Sequence, residues 1–439
     1  MGNFKYFIRL SLAYLTRFKG VFILGVISGV VIFTLISVFS PVIFRGQTQK
    51  IGITGRYHTN ELPDSLLELF GRGLTKITES GYVEPDLAYS WETPDKGKTW
   101  VFKLQNDIIW QDKDKLTSDT VSYEFSDVTI ERPDAETLVF KLEDPFAPFP
   151  SVVSKPTFKK GLLGVGEWKV EKIILAGTYV HEITAVNSTK DKKIFKFYPT
   201  LDRTKLAYKL GEIDIISETL DSSPFTNWKN TTVVNTPYRN HVVVLFFNTK
   251  DPTLSEKSLR QALTYSINKS YFGERAISPI SPDSWAFNPQ VKEYEYDPER
   301  AKLLIDELDD EVKSNLSIKL VSSPVLLETA ETISNDWKGI GIDTVVQVSS
   351  VVPTDFQAYL TILDIPKDPD QYPLWHSTQE NTNISKYSDP RIDKLLEDGR
   401  SELDIEERRK IYLDFQRFLL EDLPAAFLYH PNYYTITRK

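Results

Sequence analysis

Residues 85–104 read PDLAYSWETPDKGKTWVFKL. In the last six, Thr99–Leu104, the residues Trp100, Phe102 and Leu104 fall on one side of an extended chain, the period-two pattern of a half-buried strand. The pattern returns at Thr137–Leu142 (TLVFKL), with Leu138, Phe140 and Leu142 on one side. Shared strand chemistry accounts for this likeness better than duplication, since no period of 20–50 residues recurs elsewhere.

Further along, the periodicity becomes helical. Over 258–271, Leu259, Ala262, Leu263, Ser266 and Ile267 form one stripe. Asp297 followed by Pro298 is a helix start, with Pro at the first helical position and Ala301, Leu304, Ile305 and Leu308 behind it. Asp389 and Pro390 repeat the signal before Ile392, Leu395 and Leu396, and a charged helix is expected over 403–420. Pro424 ends it, and a strand at 425–430 is expected to close the fold. Strands interleaved with helices predict an α/β architecture, and 439 residues are too many for one ordinary core.

Charge is unevenly distributed. Residues 1–45 hold Lys5, Arg9, Arg17, Lys19 and Arg45 and no acid, which leaves 47 basic against 61 acidic residues in the body, a net of −14. Such a body repels phosphate backbones, so nucleic acid is not expected as a partner. No cysteine is present, which removes disulfides, thiolate metal sites and a Cys nucleophile together. His58, His181, His241, His376 and His430 are dispersed with no HExxH among them, so neither a metal site nor a cofactor is expected.

Residues 21–44 run 24 positions without a charge. A helix of that length reaches about 36 Å, more than a hydrocarbon core of about 30 Å. The basic residues before it place the N-terminus in the cytoplasm by the positive-inside rule, and the body outside the cytoplasmic membrane. A cleaved signal peptide would have a shorter apolar run and an A-x-A-like site. The run ends SVFSPVIFRG, so a retained single-pass anchor is expected.

Enzymatic motifs are wanting. Gly97-Lys98-Thr99 resembles the end of a phosphate-binding loop, but the pattern requires glycine where Glu92 stands. No GxSxG elbow occurs, and among 61 acids no pair stands out as an acid/base couple. The chain is not read as an enzyme.

With the body read this way, six segments in order resemble the family 5 extracellular solute-binding proteins, the oligopeptide, dipeptide and nickel binders of ABC importers. They are 85–125, in which QNDIIWQDKDKLTSDTVSYEF follows the opening stretch, GVGEWKV at 164–170, LGEIDI at 210–215, FNTKDPTLSEKSLRQALTYSIN at 247–268, WKGIGID at 337–343, and 368–430, which holds DPDQYPLWHS, SDPRIDKLL and LEDLPAAFLYHP. The resemblance spans nearly all of residues 50–439. It implies a two-lobed, hinged, periplasmic-binding-protein-like fold of the class II type, behind one N-terminal transmembrane helix. The implied division is a basic cytoplasmic segment at 1–20, the anchor at 21–44, a first lobe at 46–75 and 156–247, a small inserted domain at 76–155, a second lobe at 248–422, and a return to the first lobe at 423–439. The insertion is trimmed, because 126–136 passes almost directly to the next strand. The lipid-modified cysteine common in the family is missing.

The resemblance implies a binding protein that captures peptides or similar small solutes between its lobes and delivers them to ABC permease subunits. An extracytoplasmic sensor or peptide chaperone of the same fold is an alternative, and a metal-complex or haem binder is another. Family peptide binders hold the ligand's α-ammonium with a carboxylate just before the DPD segment, which here corresponds to Asp364 in LDIPKDPDQY, with Lys367 as an extra residue. Burying a ligand charge requires such a partner. The loop 58–62, with His58, Asn60 and Leu62, corresponds to the family segment whose backbone pairs with an extended ligand. Trp375, His376, Trp110 and Phe246 are candidates for pocket walls, although aromatics at such positions serve core packing as readily. Arg260 is read as structural.

Overall fold

The computed structural model describes residues 17–43, 46–310, 313 and 316–439, apart from the side chains at 22 and 35–43. Its body is built on two large sheets, a small four-stranded one and a two-stranded hairpin. The first sheet has seven strands in the order Thr231–Pro237, Asn432–Arg438, Ile215–Thr219, Thr48–Thr54, Lys192–Tyr198, Tyr179–Val186, Lys169–Ala176. Thr48–Thr54 lies parallel to both its neighbours. Parallel neighbours need a crossover, and the helix Leu201–Leu210 lies in the chain between Lys192–Tyr198 and Ile215–Thr219. Thr200 caps the helix start by accepting from Arg203 N, and Gly211 ends it at φ 77, a left-handed turn that glycine adopts without Cβ strain.

The second sheet has six strands in the order Glu274–Arg275, Ala425–His430, His241–Phe247, Ala358–Asp364, Ser317–Ser322, Asp343–Val348. His241–Phe247 (HVVVLFF) explains its own central place. Val243, Leu245 and Phe247 enter one core with Leu259, Leu263, Ile333 and Trp337. Val242, Val244 and Phe246 enter the core on the other face with Leu396, Tyr412 and Phe415. A strand apolar on both faces must be covered on both.

The small sheet orders Ala88–Glu92, Thr99–Leu104, Thr137–Leu142 and Val128–Asp134. Trp100, Phe102 and Leu104 are buried as their alternation predicts, and they share a core with Leu138, Phe140, Phe149 and Trp110. The stretch that looked trimmed is the strand Val128–Asp134, hairpinned onto Thr137–Leu142.

Both helix starts with an Asp–Pro pair are present. Asp297 accepts from Arg300 N ahead of Pro298–Asp306, and Asp389 accepts from Arg391 N and Ile392 N ahead of Pro390–Ser401. The last helix is Ile405–Asp422. The helix expected over 258–271 stops at Tyr265, because Asn268 turns its side chain onto Ser270 N and starts a separate 3-10 turn.

Two crossings join the large sheets. The chain leaves Thr231–Pro237 of the first and enters His241–Phe247 of the second, and returns from Ala425–His430 to Asn432–Arg438 through Pro431. Tyr238 N donates to Pro431 O at 3.1 Å, which ties one crossing to the other. The expected boundaries at 247/248 and 422/423 therefore move. His241–Phe247 and Ala425–His430 both pair within the second sheet, and the strand that closes the fold is Asn432–Arg438 rather than 425–430.

The N-terminal helix runs Lys19–Ile43 and carries no charge after Lys19. Among the described residues no helix is long and apolar enough to cross a membrane, so the expected anchor is not shown. Lys5, Arg9 and Arg45 lie outside the described residues.

Candidate functional site: the cleft beside the interlobe crossings

Asp364 is the last residue of Ala358–Asp364 and sits opposite His241 in the antiparallel ladder. The next residue, Ile365, donates its backbone N–H to Asn240 O in the first crossing. The strand thus delivers Asp364 to the seam between the lobes. His241 Nε2 is 3.6 Å from Asp364 Oδ1, and His241 Nδ1 is 2.8 Å from Tyr433 Oη. A neutral imidazole protonated on Nε2 satisfies both neighbours, accepting from the Tyr433 hydroxyl and facing the carboxylate with its N–H. Tyr238 packs on the pair, with ring centroids 5.0 Å from His241 and 5.4 Å from Tyr433.

Burial pushes the His241 pKa down, while Asp364 and Glu218 pull it up. Asp364 is itself raised, first by the protein around it and further by Asp64, while His241 and Lys367 pull it down. Its side chain is nevertheless 83% exposed, so water still reaches the carboxylate and the upward push is weak.

The first lobe faces this group with acids. The helix Asp64–Phe70 begins just after the loop 58–62 and carries Asp64 into electrostatic reach of Asp364. One turn on, Glu68 lies 3.7 Å from Lys367 of the second lobe. Glu218 interrupts the ladder of Ile215–Thr219 at a bulge, with φ 52. Its charge raises Tyr57, Tyr238 and Tyr433, in each case after burial.

Of the residues expected from sequence, Asp364 is at the seam. His58 and Asn60 are on an accessible loop of the first lobe, where His58 bonds Thr178 O at 3.0 Å and stacks on Tyr179. The others are packing residues. Leu62 is 5% exposed in the first lobe's core. Trp110 is 1% exposed in the small domain and donates Nε1–H to Thr120 Oγ1. Phe246 and Trp375 lie 5.8 Å apart inside the second lobe, and the indole of Trp375 donates to Gln371 Oε1. His376 is also buried, stacked on Tyr372 and bonded to Thr378 Oγ1. For Trp375 the reason is that the short helix Tyr372–Trp375 turns its aromatic end into the core that Phe246 shares.

His241, Tyr238, Tyr433 and Glu218 were not anticipated. The available signals were the turn-like PYRN before the run VVVLFF, and Pro431 before a Tyr-rich end. Both mark a break between strands, but neither says that the two breaks meet.

The fold has known relatives. The profile of the bacterial extracellular solute-binding proteins, family 5 (middle), matches residues 184–383. The chain is 24% identical to the dipeptide-binding protein of Escherichia coli (strain K12), over 91% of this chain and 89% of that one. Among solved structures it resembles NikZ from Campylobacter jejuni in complex with Ni(L-His), with TM-score 0.73, 22% identity, and 89% and 94% of the two chains covered. It also resembles AppA from Bacillus subtilis in complex with a nonapeptide, with TM-score 0.67, 20% identity, and 90% and 95% covered.

Proposed function

We propose that the chain is a family 5 solute-binding protein rather than an enzyme, and that it captures peptides between its lobes and passes them to the permease of an ABC importer. The observation that carries the peptide reading is Asp364, a water-accessible carboxylate at the seam, with Asp64 in electrostatic reach from the other lobe and Lys367 engaged by Glu68. A cleft so charged favours a cationic group such as a free α-ammonium. Backbone pairing along the loop 58–62 would add affinity with little sequence preference. Mass spectrometry of ligand released from the purified protein tests this. Peptides with free amino termini are expected, and a metal complex or haem would overturn it.

The body stands outside the cytoplasmic membrane in this reading, held by the 24 uncharged residues at 21–44. Chains that retain this segment should stay with membranes through high salt and carbonate. A mature N-terminus near Arg45 would show cleavage instead.

A further inference from the structure

The small domain is fixed to the first lobe. Arg72 and Thr157, at its entry and exit, bridge one another. Gln111 Nε2 donates to Gly166 O and Trp168 O at 2.9 and 3.1 Å, and Trp168 belongs to the first lobe's core. Yet the domain also reaches the second lobe. Its two-stranded hairpin, Thr75–Ile77 with Val83–Pro85, turns through 78–82, where Gly81 N donates to Thr78 O and Thr78 N to Tyr82 O.

That tip meets Trp285 of the second lobe. Trp285 N donates to Ser80 O at 2.9 Å, and its indole Nε1–H donates to Gly81 O at 3.2 Å. Gly81 has φ +81, and a Cβ there would stand 2.7 Å from Lys367 O, so the contact admits only glycine without a shift. From behind, Trp285 rests on Tyr412 and on the Arg408 guanidinium, which grips Asp368 at 3.0 and 2.6 Å. A second contact lies nearby, where Ala147 N donates to Arg400 O at 2.6 Å. The interface is not filled. A cavity of about 220 Å³ remains among Tyr82, Trp91, Trp100, Trp285 and Arg408. A few directed hydrogen bonds around a void make a contact that is specific but separable.

We propose that the hairpin tip 78–82 is a clasp. Carried by the first lobe's small domain, it closes on Trp285 and holds the second lobe against the first, so that retention of solute depends on the clasp as well as on the cleft. The retention clause rests on the solute-binding reading above; the clasp itself does not.

The absence of cysteine allows a direct test in the full chain. Spin labels at Asp127→Cys in the small domain and Lys394→Cys in the second lobe, both exposed positions, report the separation by pulsed electron resonance without ligand. Trp285→Phe keeps a ring in the core but deletes the indole donor. The ratio of separated to closed molecules should rise about fivefold, the equivalent of one net hydrogen bond. Gly81→Val, which disturbs the contact from the opposite side, should raise it further. Distance distributions identical to the parent's in both variants, with circular dichroism unchanged, would overturn the clasp. A parallel titration with tetra-alanine reads the peptide assignment separately. Its failure with a working clasp would reject the ligand and keep the device.

Discussion

Asp364 and His241 carry opposite consequences for pH and for binding. Asp364 is 83% exposed here, so its bond to a ligand ammonium is worth that of a charge-assisted hydrogen bond, about 1.5–3 kcal/mol, rather than a fully buried pair. Asp364→Ala should weaken binding of a free-amine peptide roughly ten- to hundredfold by calorimetry. It should barely affect the N-acetylated peptide, which lacks the ammonium. Equal losses for both would make Asp364 a structural residue. His241 and His430 are both lowered by burial, so the unfolded chain takes up their protons first as pH falls. The stability they support is complete above about 6.5 and declines as pH drops through their folded values. The urea midpoint should fall below pH 6.5, and His241→Gln should flatten that fall. Asp364 could be read from sequence because it follows an apolar strand and precedes a known motif. His241 could not, since nothing local brings Tyr433 to its ring.

At the level of elements, Arg260 shows how much of the second lobe hangs on one side chain. It projects from Lys257–Tyr265 and donates to Leu423 O, Leu254 O, Ser255 O and Asp422 O at 2.6–3.0 Å. Two of these acceptors close the end of Ile405–Asp422, whose chain turns at Leu423 with φ 52. Guanidinium here replaces the missing next turn of helix. Arg260→Met would leave buried carbonyls without donors, and a loss of about 3 kcal/mol or more is expected from denaturation midpoints. A loss under about 1 kcal/mol would mean that water substitutes for the guanidinium. The helix itself was legible from its apolar stripe, and so were the two Asp–Pro starts, because caps and periodicity are local. The end at Tyr265 was not legible. Just past the Asn268 turn that ends it, the buried Lys269 ammonium bonds Tyr294 O at 2.8 Å, a partner far along the chain that no local pattern announces.

Across the whole molecule, the two crossings lie side by side and the lobes meet elsewhere through side chains and loop tips, such as Lys367 with Glu68. Such an arrangement bends at the crossings. Saturating peptide should lower the radius of gyration of the body in scattering, and an unchanged curve with ligand bound would remove closure. The two-sheet plan was readable as a class from the alternation of strands and helices. The membership of His241–Phe247 was not, because its partners begin at Ala358 and Ala425, and no local pattern encodes pairing over such distances.

The place of Asn432–Arg438 sets an order of assembly. This strand lies inside the first sheet, between Ile215–Thr219 and Thr231–Pro237, and is the one ladder partner of Thr231–Pro237 among the described strands. A lobe begun near residue 48 is therefore finished only by a strand that starts at residue 432. Until that strand has been made, the first sheet lacks one of its interior members. Folding of the first lobe becomes final only after this strand has arrived. Deleting Asn432–Arg438 would take out an interior strand and leave Thr231–Pro237 with no ladder partner among the described strands.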